Sequence, residues 1–91
     1  MKLTDKALEA FRKFIYDKYR YSIFEFEEHE IFVNALIIEW LDSVGIYISI
    51  PHLDKFGSFV NDEWCGDYPT RTEAINEAIV KANENFNTFE K

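Results

Sequence analysis

Eleven consecutive residues, Ile31-Phe32-Val33-Asn34-Ala35-Leu36-Ile37-Ile38-Glu39-Trp40-Leu41, constrain this chain more than any other stretch. The run is too long for one strand and is apolar around most of a helical wheel, so it predicts a mostly buried helix. Its acidic approach, Glu27-Glu28-His29-Glu30, suits the positive end of a helix dipole. Gly45, just past Asp42-Ser43-Val44, is placed to take the left-handed conformation that ends a helix. Burying such an element in 91 residues leaves room for one domain. A domain of this size hides only about 60 to 65% of the surface its unfolded chain exposes. The composition compensates, since 47% of residues are apolar and nine are Phe.

The flanking segments supply the rest of the architecture. From Asp5 to about Tyr19, Leu8, Phe11, Ile15 and Tyr19 recur at three- and four-residue spacing, widened by Ala7 and Phe14. That spacing predicts an amphipathic helix, with Thr4 as its N-cap and Lys18 and Arg20 at the end that favours cations. Tyr21 to Phe26 lacks a clean period and reads as a connector. Ile46, Ile48 and Ile50 alternate with Tyr47 and Ser49 until Pro51, giving the clearest strand. Pro51-His52-Leu53-Asp54-Lys55 reverses the chain into a second strand, Phe56 to Val60, paired antiparallel with the first. Asn61-Asp62 makes another turn into a short third strand, Glu63-Trp64-Cys65, and Gly66-Asp67-Tyr68-Pro69 leads out of the sheet.

Thr70 and Glu73 then match the S/T-x-x-E capping box behind Pro69, so a helix starts there. Its inner face is Ala74, Ile75, Ala78, Ile79, Ala82 and Phe86, and the tail Asn83 to Asn87 is expected to fray. The order predicts an α+β domain spanning residues 1–91: two N-terminal helices, a β-hairpin or three-stranded meander, and a C-terminal helix packed on the sheet.

Motifs that demand a reaction are missing. Glu25, Glu27, Glu28, Glu30 and His29 form the densest ligand-capable cluster, but without the spacing or glycine of an EF-hand loop or the second histidine of a zinc-protease helix. They read as the solvated acidic start of a helix, and no metal or other cofactor is expected. Cys65 and His52 are the residue types of a nucleophile and its base, yet nothing around them activates a thiol, so Cys65 reads as a small buried hydrophobe. Asp62-Glu63 reads as a polar turn rather than an acid–base pair. Gly45, Gly57 and Gly66 are too dispersed for a phosphate-binding loop. One cysteine excludes an internal disulfide and favours a reducing cytoplasm, and neither a signal peptide nor a membrane span is legible.

Two resemblances bear on function. The element order and the start Thr70-Arg71-Thr72-Glu73-Ala74 are similar to the double-stranded-RNA-binding domain, but that family places a basic cluster at this helix start, and here Arg71 stands among acids. Direct nucleic-acid binding is therefore not expected. The stretch from Trp64-Cys65-Gly66-Asp67-Tyr68-Pro69 through Ala74-Ile75-Asn76-Glu77-Ala78-Ile79 resembles the tail of small proteins of bacterial phages and mobile elements. It implies a cytoplasmic accessory protein and carries over no residue roles.

Charge supplies the remaining clue. Residues 1–20 carry six basic and three acidic side chains, whereas residues 21–67 carry ten acidic and one basic, Lys55. The helix start accounts for Glu27, Glu28 and Glu30, and the acids that bear on function are those of the hairpin and its exit, from Asp54 to Asp67. Asp54, Asp62, Glu63 and Asp67 are expected to steer a basic protein partner, and Tyr47, Phe59 and Trp64 to supply its apolar anchor. The expected function is non-enzymatic protein–protein interaction. The alternatives are a homodimer through the same face, an inhibitor that mimics nucleic-acid charge, and a small enzyme built on His52 and Cys65.

Overall fold

The apolar run is a helix, and it packs on the C-terminal helix, which touches every other element. The computed structural model describes residues 2–20 and 29–89; the Tyr21–Phe26 connector, along with Glu25, Glu27 and Glu28, lies outside the described residues. Helix α1 spans Asp5–Tyr19, α2 Glu30–Ser43 and α3 Arg71–Phe89. Strands β1 (Ile48–Ser49), β2 (Phe56–Val60) and β3 (Glu63–Tyr68) lie between α2 and α3 and form one antiparallel sheet in the order β1-β2-β3. This is the α+β order read from the sequence. Helix α3 packs on one face of β2 and β3, and α1 and α2 pack on α3.

The core is built from the stripes that each pattern supplies. Phe11 and Ile15 of α1, Ile37, Trp40 and Leu41 of α2, Val60 of β2, and Ala78, Ile79 and Ala82 of α3 are all buried in one cluster. Helix α2 is buried or half-buried along most of the run, as its composition implied, and is exposed chiefly at its start. Val33, Leu36, Ile37, Trp40 and Leu41 face inward, but Ile31 is 79% and Phe32 42% exposed, because α1 and α3 cover only one side of it. Its end follows the sequence signal. Gly45 has φ +82°, the Ile46 N–H donates to the Leu41 carbonyl at 2.9 Å and the Gly45 N–H to that of Asp42 at 3.3 Å. These two bonds satisfy carbonyls that the last turn leaves open.

The sheet departs from expectation in length and register. Only Ile48–Ser49 of the predicted first strand is regular, although Ile46, Ile48 and Ile50 all pack on the core. β3 continues to Tyr68 instead of leaving the sheet after Cys65. Asn61 and Asp62 both take positive φ, 50° and 67°, which matches a two-residue hairpin turn to the strand twist. Past the turn, Val60 pairs with Glu63 and Phe59 with Trp64, but Ser58 pairs with Gly66, so Cys65 is the extra residue of a β-bulge.

Both ends of the helical layer also differ. Thr4 does not cap α1 with its own side chain. Instead α3 reaches across: Asn83 Oδ1 accepts the Thr4 N–H at 2.9 Å and Asn87 Oδ1 the Ala7 N–H at 2.8 Å. The tail expected to fray is therefore helical and bonded to α1. At the other end of α3 the capping signal holds, with Thr70 Oγ1 accepting the Glu73 N–H at 3.2 Å.

Two surface carboxylates tie the helices together and set an acid response. Glu39 on α2 accepts from Lys18 Nζ at 2.8 Å and from Tyr19 Oη at 2.7 Å. Those bonds, the Lys18 one foremost, hold its carboxyl below the usual range. The hydrogen bond from Asn76, followed by that from Lys2, does the same for Glu30. A carboxyl lowered on folding stabilises the fold at neutral pH and loses that contribution as pH falls through its folded value. The Glu30→Gln/Glu39→Gln variant is therefore expected to be slightly less stable than the wild type at pH 7 and to lose less on acidification. Urea midpoints at pH 7 and pH 3 measure both; equal acid losses would mean the two bridges contribute nothing. The groups are exposed, so the effect is small.

Candidate functional site

The face of the sheet turned away from α3 is left open by the described residues. Antiparallel partners project side chains to the same side, so Phe59 lies between Ser49 and Trp64 on this face, and Gly57 and Asp67 form the neighbouring row. Trp64 is 60% exposed and Tyr47 59%. A cleft of about 490 Å³ opens between the β1–β2 loop and β3, lined by Pro51, Leu53, Asp54, Lys55, Gly57, Phe59, Trp64 and Asp67. Gly57 contributes no side chain to its floor, and the Phe59 ring leans over that position, 3.1 Å from where a Cβ would stand. The Trp64 indole N–H donates to Asp67 Oδ1 at 3.1 Å, which fixes the orientation of the ring.

A second groove, of about 310 Å³, lies on the other side of β3, where the strand meets α3. Glu63, Trp64, Cys65, Glu77, Val80, Lys81 and Glu84 line it. Trp64 thus stands on the crest between two acid-rimmed depressions. Three carboxylates and one lysine line this second groove. Burial chiefly, then the carboxylates of Glu63 and Glu77, push the Cys65 thiol up against an opposing pull from Lys81. Tyr68 is likewise raised, by burial first and then by Glu77.

Of the residues singled out from the sequence, Asp54, Phe59, Trp64 and Asp67 come together around the first cleft. Tyr47 shares the face but sits at its hairpin end, where its backbone N–H donates to Asn61 Oδ1 at 2.7 Å. Asp62 is exposed in the turn and lines neither depression. Glu63, paired with buried Val60, projects to the α3 side and joins the second groove. Sequence reading missed Leu53, which is 88% exposed at the mouth of the first cleft, and the α3 residues Glu77, Val80 and Glu84. Glu77 and Glu84 are seven apart, two helical turns, and that spacing was the available signal.

The structure does not assemble the Cys65–His52 pair. His52 stacks on Phe56 with ring centroids 4.1 Å apart, and Phe56 pairs with Tyr68, three residues along β3 from Cys65. That offset is about 10 Å, against the roughly 3 Å a nucleophile and its base require. The raised thiol also runs opposite to the lowering that activates cysteine. Among the described residues no group of three or more His, Cys, Asp and Glu side chains could hold a metal ion. Nor, among them, is any helix long and apolar enough to cross a membrane. Comparison with protein-family models, curated proteins and solved structures finds no match for the chain.

Proposed function

We propose that this chain is a small cytoplasmic, non-enzymatic accessory protein that docks a basic protein partner on the open face of its sheet. One observation carries the reading: a fixed, exposed tryptophan stands between two acid-rimmed depressions on a face that the helices leave uncovered. Covering its exposed part removes on the order of 100 Å² of apolar surface from water, worth about 2.5 kcal/mol. Asp54, Asp67 and Glu63 raise the encounter rate with a cationic surface and disfavour an acidic one. The same charge disfavours a homodimer, since the chain carries a net −7 and like faces repel.

A photo-crosslinking residue at position 64, with one at Tyr16 on α1 as a control, tests the reading in cells that express the chain natively. The expected outcome is a discrete protein adduct from position 64, absent from position 16 and diminished when salt is raised before irradiation. An adduct from position 16 alone overturns the docking face. An adduct indifferent to salt removes the steering role, one of twice the chain's mass returns the homodimer, and a partner displaced by DNA or RNA from its own channel returns the charge mimic.

A further inference from the structure

The cations of this protein already cover several of its surface rings. Arg71 lies 5.3 Å from the Phe56 centroid, and Lys18 lies 5.6 Å from that of Phe14 and 5.4 Å from that of Tyr19. Among the described residues none of the cation–ring contacts is to Trp64, although Lys55 and Lys81 line the two depressions beside it and indole offers the strongest face for a cation. Its N–H is tied to Asp67, so the ring is held in place before any partner arrives, and carboxylates flank it on both sides, Asp67 toward the sheet cleft and Glu63 toward the α3 groove.

Resting on the docking face proposed above, we infer that Trp64 is the seat for an arginine side chain of the partner. The guanidinium lies flat on the indole while its edge donates to the carboxylate of Asp67. A planar, weakly hydrated guanidinium can stack and donate at once. A lysine ammonium is compact and strongly hydrated, and gains only the point-charge part of the attraction. The occupant is therefore a basic protein segment that presents arginine. A second copy of this chain would bring the same negative surface with it.

Hexa-arginine and hexa-lysine peptides separate stacking from bulk charge, since both carry the same number of cationic side chains. Binding is read from the indole N–H resonances of the ¹⁵N-labelled protein, with Trp40, which is 2% exposed, as internal reference. Hexa-arginine is expected to shift the Trp64 resonance and leave that of Trp40 in place. It should bind about 2- to 5-fold more tightly than hexa-lysine, the ratio that a surface cation–π contact supplies. Trp64→Leu should weaken both peptides and hexa-arginine the more, abolishing that preference, and Trp64→Phe should retain part of it. Equal affinities for the two peptides, or a preference that persists in Trp64→Leu, overturn the arginine seat. If the preference is absent while a protein still crosslinks at position 64, the seat falls and the docking face stands; a preference without any crosslinked protein reverses the two.

Discussion

Trp40→Ala is expected to cost about 3 to 5 kcal/mol, the range for removing a large aromatic from a packed core. A domain of this size has roughly 5 to 15 kcal/mol in all. Trp40 is 2% exposed and lies where all three helices meet: its ring is 5.9 Å from that of Phe11 on α1 and 5.0 Å, edge to face, from that of Phe86 on α3. The substitution therefore removes buried area and two aromatic contacts worth about 0.5 to 1.5 kcal/mol each beyond it. Urea unfolding followed by far-ultraviolet circular dichroism should show a lower midpoint with an unchanged slope. Trp40→Phe, which keeps a ring in the site, should lose less than half as much. A loss below about 1 kcal/mol for the alanine variant would mean that the three helices do not share this residue as their contact.

Features of the fold set by neighbours in sequence were legible. The Thr70/Glu73 cap, the Gly45 stop and the bounds of β2 each depend on a few adjacent residues, and the structure has all three where the sequence put them. What was not legible depends on partners far along the chain. The bulge at Cys65 exists only because β3 pairs with β2, and composition alone does not say which side of β3 gains the extra residue. The exposure of Ile31 and Phe32 depends on where the described elements lie against α2, not on its own pattern.

The candidate site divides along the same line. Phe59 and Trp64 were found because alternation and turn position put them near one another in the sheet, and that logic is local; Asp67, expected beyond the sheet as an acid of its rim, shares their face only through the bulge at Cys65. Glu63 was grouped with them, yet it projects to the opposite side, since the two-residue turn pairs it with Val60 and one step along a strand reverses the direction of a side chain. Glu77, Val80 and Glu84 went unnoticed because the reading of α3 attended to its alanine face. Their relevance comes from β3 running alongside, a tertiary fact.

Asn83 and Asn87 show how far a distant partner can replace a local signal, and their removal is expected to have the second-largest effect. Ala7 occupies the third position of α1, where the N-cap side chain ordinarily accepts the N–H, and Asn87 Oδ1 accepts it instead. Asn87 Nδ2 also donates to the Thr4 carbonyl at 3.1 Å, while Asn83, 8% exposed, accepts the Thr4 N–H and donates to its hydroxyl at 3.1 Å. Either alanine variant should cost about 1 to 2 kcal/mol, since backbone donors lose their acceptors in a partly buried seam. The double variant should cost about 1.5 to 3 kcal/mol, less than the sum, because the two amides share Thr4 and bond one another at 3.3 Å. Asn87→Asp separates capping from packing: it keeps an acceptor for the Ala7 N–H and adds a negative charge at a helix start, so it should recover part of what alanine loses. Urea midpoints give the energies, and hydrogen exchange at the Ala7 amide gives the site, with protection lost in Asn87→Ala and retained in Asn87→Asp. Unchanged protection in the alanine variant would mean that the cap is not made by α3. If it is made there, the last two turns of α3 hold the first turn of α1, and truncation after Ala82 should release α1 as well as shorten α3.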